Sequence, residues 1–351
     1  MAVGCNRRIR RLSALIVAFV TAVLLGMPAV AETRARILAW DQLDRWAFDD
    51  HQAALDVFRS TCGDMDEPEW KSVCGHAANA ENARGFFELL FRPVLIEDGG
   101  DPLFTGYYEP ELEGSLRRSG PYIHALYRKP PEVRPGQRWF SRGEIEQSGM
   151  LNGRGLELVW LKDPVEKFFL QIQGSGRIRL TDGSAMRVGY GGKNGHPYRS
   201  VGNEMVRRGW MQQHEVSAAR IGNWVRQNPA AGRELLWHNP SYVFFREVSR
   251  VPADKGPLGA MNRSITAGRS IAVDADIVPL GAPVWLEKTG RDPIQRLMIA
   301  QDTGSAIKGA QRADIFYGTG DEAGAEAGRI RDGGRMIVLL PIERALALAG
   351  D

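Results

Sequence analysis

The stretch Ile299-Ala-Gln-Asp302-Thr-Gly-Ser-Ala-Ile-Lys-Gly309-Ala-Gln-Arg-Ala-Asp314-Ile-Phe-Tyr-Gly318 decides how this chain is read. It holds two carboxylates, Asp302 and Asp314, each at the junction of a short apolar run and a glycine-bearing turn. Asp314 stands directly before Ile315-Phe-Tyr, and an apolar setting disfavours the charged carboxylate and raises its pKa. A carboxyl kept protonated in an apolar cleft can act as a general acid, for instance at a glycosidic oxygen. The bland alternative is that both aspartates only cap turns. Asp302-Thr-Gly-Ser also matches the loop of aspartic proteases, whose chemistry needs two such loops sharing one proton. No second Asp-Thr-Gly or Asp-Ser-Gly occurs, so that reading survives only as a one-loop homodimer.

Outward from this stretch the texture is one of short strands. Tyr242–Phe245, Ile271–Val273, Pro283–Leu286, Leu297–Ala300, Asp314–Tyr317 and Met336–Leu340 read as strands between Gly- and Pro-rich turns, with one brief helix near Glu322–Arg329. About six strands in the last 110 residues close more naturally as a small barrel than as an open sheet. In the middle, Leu158–Leu161, Phe168–Ile172 and Arg177–Leu180 also read as strands, with a turn at Thr181–Ser184, and residues 199–227 read as helical. The front, from Trp40 to about Phe91, is helical, and Pro93 is expected to stop its last run. The 40 glycines and 19 prolines among 351 residues suit this mostly-β organisation, and 25% charged residues exclude a disordered or coiled-coil chain. Gly318-Thr-Gly320 imitates a dinucleotide fingerprint, but the chain ends at Asp351, too soon for the strands that would complete such a fold.

Arg7, Arg8, Arg10 and Arg11 precede an apolar run from Leu12 to Leu25 that ends in small residues at Ala29 and Ala31. This is the pattern of a signal peptide over residues 1–31, cut before Glu32, and the run is short of the ~20 residues that span a bilayer. Without those four arginines, 41 bases face 42 acids, so no basic surplus argues for nucleic acid. No lipobox-like cysteine ends the apolar run, and Cys62 and Cys74 remain as an even pair able to close a disulfide in an oxidising periplasm. The six histidines show no metal-like spacing, and neither a His-Glu-x-x-His nor a Gly-x-Ser-x-Gly motif occurs, so no metal or other cofactor is expected.

With Asp274 upstream in Ala272-Val-Asp-Ala-Asp-Ile-Val-Pro279-Leu-Gly281, the deciding stretch resembles the 3D module, named for three aspartates. More widely, the chain resembles the membrane-bound lytic murein transglycosylase A family. The motifs are Phe104-Thr-Gly-Tyr-Tyr-Glu-Pro110, Gln173-Gly-Ser-Gly176, Tyr190-Gly-Gly-Lys-Asn-Gly-His-Pro-Tyr-Arg-Ser200, Asn239-Pro-Ser-Tyr-Val-Phe-Phe245, and Asp302 through Arg312-Ala-Asp-Ile-Phe316. The resemblance implies a mainly β protein with peripheral helices. A double-psi β-barrel domain (residues 32–109 and 248–351, with the N-terminal helices) would carry a second, smaller β domain inserted at 110–247, with a glycan groove between them.

It further implies a peptidoglycan lytic exotransglycosylase of the periplasm, acting on glycan strands and leaving 1,6-anhydromuramoyl ends. Asp314 matches the single catalytic acid, which then serves as base, with Asp302 its neighbour raising its pKa by repulsion and steadying positive charge. Asp274, Thr105, Tyr107, Tyr108, Gln173, Ser175, Tyr190, Lys193, Asn194 and Tyr198 are the expected substrate-binding residues. Association with cell-wall synthesis or division proteins is a further partner expectation, and the oligomeric state is left open. The chain departs from the pattern in lacking a lipid-attachment cysteine, which places the membrane link in doubt. The competing readings are a non-catalytic peptidoglycan-binding barrel, an ordinary hydrolase and the protease.

Overall fold

The computed structural model describes residues 33–249, 251–252 and 255–350; the expected signal peptide lies outside the described residues. The first strands are β1 (Arg34–Ile37), β2 (Phe91–Glu97) and β3 (Leu103–Glu109). The chain then builds β4 (Glu111–Ser115), β5 (His124–Tyr127), β6 (Glu157–Leu161), β7 (Gly176–Leu180), β8 (Ala185–Lys193) and β9 (Val243–Glu247). It finishes with β10 (Ser270–Val273), β11 (Pro283–Lys288), β12 (Ile294–Thr303), β13 (Arg312–Thr319), β14 (Arg331–Asp332) and β15 (Gly334–Pro341). Two sheets result. One, a near-closed barrel, has the order β1-β2-β15-β11-β12-β10-β13-β3-β14; the other has the order β5-β6-β4-β7-β8-β9. The chain passes from the first sheet to the second across Pro110 and begins its return after Glu247.

The expected C-terminal strands are all present, yet they do not close a barrel alone, and Tyr242–Phe245 falls in β9 of the second sheet, paired with β8, instead of in the barrel. Three strands from the front of the chain complete the nine-stranded sheet, with β3 parallel to β13 and β2 antiparallel to β15. The barrel core is a continuous apolar cluster in which Ile271, Trp285, Leu297, Ile299 and Ile337 are fully buried. Helices α1 (His51–Thr61), α2 (Pro68–Ala77) and α3 (Ala83–Leu90) pack their apolar faces on it through Phe58, Trp70 and Phe87. Asp50 and Asn82 cap α1 and α3 by accepting amide hydrogens in the first turn. The last of these helices ends at Leu90, and Pro93 lies inside β2 opposite Leu339 rather than marking the helix end.

The second sheet carries α4 (Arg142–Ser148), α5 (Pro164–Gln173), α6 (Val201–Arg207), α7 (Ala218–Gln227) and α8 (Pro229–His238). The expected strand Phe168–Ile172 belongs to α5 instead. Asp163 accepts the Val165 amide hydrogen as the cap, Pro164 takes the first helical position, and Val165 and Phe168 share the buried face. Two further helices follow: α9 (Asp321–Ala327), as expected, and α10 (Ile342–Gly350).

A disulfide joins Cys62 to Cys74, 12 residues apart, tying the end of α1 to α2. By the chain-entropy account a loop of this size contributes about 3 kcal/mol. Replacing both cysteines by serine is expected to lower the urea midpoint and, because the freed unfolded chain exposes more surface, to leave the denaturant slope equal or steeper; an unmoved midpoint would show that the bond adds nothing.

Candidate active site

The site is built by β10, which pairs in parallel with β12 on one side and antiparallel with β13 on the other. Ala272 is the register partner of both Asp302 and Asp314, and Asp314 is in turn the partner of Thr105 on β3. Residues in register share a face of the sheet, so Asp302, Ala272, Asp314 and Thr105 form one row across four strands. The methyl group of Ala272 is the smallest side chain that can separate the carboxylates there. A bulge makes the row possible. Ile271 faces Ala300 but Ala272 faces Asp302, so Gln301 is the extra residue on β12.

Asp314 is half-buried and accepts one hydrogen bond, from the Thr105 hydroxyl to Oδ1 at 2.7 Å. Thr105 is itself oriented by Arg312, whose Nη2 donates to its oxygen at 2.9 Å. Burial raises the Asp314 pKa; the Thr105 hydroxyl and then the Arg312 charge pull against it. Asp302, also half-buried, receives three donors: the Tyr107 hydroxyl at 3.0 Å on Oδ2, and the amides of Ala260 at 3.0 Å and Thr303 at 2.9 Å on Oδ1. Burial nevertheless lifts its pKa to about 6, against those donors and with help from the charge of Asp314. Repulsion thus acts on Asp302; for Asp314 the raising cause is burial, where the sequence suggested its neighbour. Both carboxyls bind protons more tightly folded than unfolded, so the stability each contributes at low pH is lost as pH rises, for Asp302 between about 4 and about 6.

The other expected site residues divide. Thr105 and Tyr107 lie on the carboxylate face of β3, and the Tyr107 ring packs on Phe316 with centroids 5.3 Å apart. Tyr108 alternates to the opposite face and meets α9: a Cβ added at Gly324 would lie 2.7 Å from its ring. The same closeness explains Gly106, whose added Cβ would fall 2.7 Å from the Ala327 backbone. Tyr108 is therefore a packing residue, and the oxygen of Gln173 accepts its amide hydrogen at 3.2 Å, tying α5 to β3. Ser175 is half-buried between α5 and β7.

Asp274 is corrected to a structural role. It is only 5% exposed and accepts from Lys308 Nζ at 2.7 Å and the Gly309 amide at 3.0 Å. Burial alone would raise its pKa, but Lys308 and the amides hold it below the usual range, and it pins the loop between the two site aspartates. Gly309 has φ +111°, a conformation that favours glycine. Asn194 is corrected likewise: fully buried, it donates to the carbonyls of Phe140 and Pro240 and accepts from the Tyr242 amide. Its amide holds loops together and is not available to a sugar. Tyr190 is 52% exposed on β8, with Lys193 and Tyr198 half-buried beside it, but no hydrogen bond joins these three to the carboxylate row among the described residues.

Two features escaped the sequence reading. Arg312, two residues before Asp314 and so on its face, was signalled by strand alternation. Glu109, in the motif after Tyr108, is fully buried and joins the two sheets: its carboxylate accepts from Arg177 at 2.9 Å, Arg187 at 3.3 Å and Thr319 at 2.9 Å.

Comparison with known proteins agrees with this arrangement. Residues 103–246 match the model of the MltA specific insert domain, and residues 269–340 match the 3D domain. The chain is 37% identical over 281 residues to membrane-bound lytic murein transglycosylase A of Escherichia coli K12, covering 77% of this chain and 73% of that one. A crystal structure of membrane-bound lytic murein transglycosylase from Agrobacterium tumefaciens superposes with a TM-score of 0.81 at 31% identity, covering 90% of this chain and 99% of that one. The structure of Escherichia coli MltA with bound chitohexaose gives a TM-score of 0.68 at 30% identity, covering 83% and 89%.

The Tyr107 hydroxyl stabilises ionised Asp302, so Tyr107→Phe is expected to move the titration of its ¹³C-labelled carboxyl upward from about 6. A downward or absent shift in the NMR titration would contradict this geometry.

Proposed function

Because the chain belongs to the membrane-bound lytic murein transglycosylase A family, we propose that it cleaves the β-1,4 bond between N-acetylmuramic acid and N-acetylglucosamine of peptidoglycan without water, using Asp314 as acid and then base. The observation that carries this reading is the inequality of the two carboxyls. Asp302 has both oxygens engaged by donors, whereas Asp314 Oδ2 has no protein partner among the described residues. One carboxyl has an oxygen free to exchange a proton with a ligand; its neighbour has both oxygens engaged by the protein.

Protonated Asp314 gives its proton to the glycosidic oxygen, the bond to C1 breaks, and the N-acetylglucosamine side leaves as an alcohol. Positive charge then develops at C1 of the muramoyl residue, and Asp302 on the same sheet face is placed to stabilise it. The carboxylate of Asp314 takes the proton of the C6 hydroxyl while O6 attacks C1, closing the 1,6-anhydro ring and restoring the acid. An internal nucleophile has an effective molarity of ~10⁵ M or more, so no second residue is needed to hold a water. The chitohexaose carried by the E. coli relative supports a β-1,4 glycan as the ligand. We take the nine-stranded sheet and the six-stranded sheet as the two domains, divided at 109/110 and 247/248, with the glycan between them. A periplasmic location follows from the reading of residues 1–31 as a signal peptide, and among the described residues no helix is long and apolar enough to cross a membrane.

Mass spectrometry of peptidoglycan digests tests the proposal. Wild type should release anhydromuramoyl products and Asp314→Asn should lower turnover by at least a thousandfold while still sedimenting with glycan. Products with reducing ends that take up ¹⁸O from solvent would make the enzyme a hydrolase and overturn it. Because Asp314 must hold a proton and burial raises its pKa, kcat/KM should fall as pH rises above the ordinary carboxylate range, where that proton is lost. A rate that climbs through that range would place the essential proton elsewhere.

A further inference from the structure

A cavity of about 820 Å³ lies within the second sheet's domain, and its lining includes none of the site residues described above. Its wall carries four cationic side chains, Arg142, Lys167, Arg226 and Arg233, against two acids, Glu146 and Asp163. Asp163 pairs with Arg226 at 2.7 Å. Arg142 is fully buried and saturated by Gln171, Glu146 and the carbonyls of Asn239 and Ser241.

Lys167 is different. It is 9% exposed, and its ammonium has only weak partners among the described residues: the Tyr242 phenol beside it and a Glu146 carboxylate oxygen 3.8 Å away. Beside it Tyr242 is 1% exposed, and among the described residues its buried hydroxyl has no well-formed hydrogen bond. The ammonium instead faces the rings of Tyr127 and Tyr242 at 5.7 and 5.4 Å. Burial would strip its proton, but the Tyr242 phenol and Glu146 outweigh that and keep it charged. At the rim, Arg233 is exposed and makes no ion pair among the described residues. Unsatisfied donors this deep cost stability unless a ligand uses them.

We propose that this cavity binds a short peptide through its free C-terminal carboxylate, which takes the Lys167 ammonium and the Tyr242 hydroxyl as donors. The excess positive charge requires an anion. The remaining wall is apolar at Leu151, Val165 and Phe168, with the amide of Gln147 among them, which suits small side chains joined by a peptide group better than a bare inorganic anion. The volume falls within the range of sites for small organic ligands.

Isothermal titration of the whole protein with N-acetyl-alanyl-alanine, the same dipeptide ending in a carboxamide, and succinate tests the inference. The acid should bind at least tenfold more tightly than either of the others. Lys167→Met should abolish the preference for acid over amide. Arg233→Gln, at an exposed position, should weaken the acid about threefold and leave the amide unchanged. No binding of the acid, equal binding of acid and amide, succinate binding as tightly as the dipeptide, or undiminished binding in both variants would each overturn it. Asp314→Asn should bind the dipeptide like wild type, so the result stands apart from the proposed reaction.

Discussion

The site depends on one irregularity in the hydrogen-bonded ladder, the bulge at Gln301. Along a regular strand, successive side chains point to opposite faces, and without the extra residue Ala272 would face Gln301 and Asp302 would point away from Asp314. The bulge is held from within. Gln301 is fully buried, its oxygen accepts from the Ser270 hydroxyl, and its amide donates to the Ser60 hydroxyl of α1 at 3.3 Å. A polar side chain inside an apolar core thus fixes which face a carboxylate occupies on the next residue. It also gives the N-terminal helices a part in placing the two carboxylates, because α1 supplies part of that anchor.

Holding both carboxyls in this row is unfavourable to the fold. Raising Asp302 from 3.8 to about 6 corresponds to roughly 3 kcal/mol against the ionised form at neutral pH. The surrounding barrel tolerates this because its core is continuous and its strands are tied on both sides. The Glu109 cluster extends the same rigidity to the second sheet. Arg177 and Arg187 converge on that buried carboxylate and both donate to the Lys255 carbonyl. Losing Glu109 would leave Arg187 buried without its charge partner, so the cluster acts as a fixed joint between the strand that carries Thr105 and Tyr107 and the sheet that carries Tyr190.

Much of this was legible in the sequence where the information is local. Alternation and turn residues marked the C-terminal strands, and the apolar context of Asp314 pointed to a raised pKa. Local signals were also overlooked. Ser141 with Glu144 is a capping box that announces α4, and Asn228-Pro229 announces α8. In α5 the Asp163-Pro164 start outweighs a stretch whose apolar residues imitate a strand. What no local pattern could reveal is pairing between distant segments. The facing of Ala272 to two aspartates, the sharing of one Thr105 hydroxyl by Arg312 and Asp314, and the burial of Asn194 all follow from contacts between segments far apart in the chain. Motif residues such as Asn194 and Asp274 were read as ligand contacts because polarity and glycine-rich surroundings are common to binding loops and to loop anchors.

Two aspartates on one face invite comparison with glycosidases that use a pair of carboxyls, one as acid and the other as nucleophile or as base for water. Either role requires the second carboxylate to be basic and sterically open. Asp302 is not open: two amides occupy Oδ1 and a phenol occupies Oδ2, and each of these bonds stabilises the anion and offsets part of the proton affinity that burial gives it. Its elevated pKa comes from burial and not from any lack of donors, so solvation by the protein has replaced solvation by water. A cleft with one mobile proton and one immobilised charge matches a reaction in which the attacking oxygen arrives already attached to the sugar, where the only proton to be moved leaves and returns to the same carboxyl.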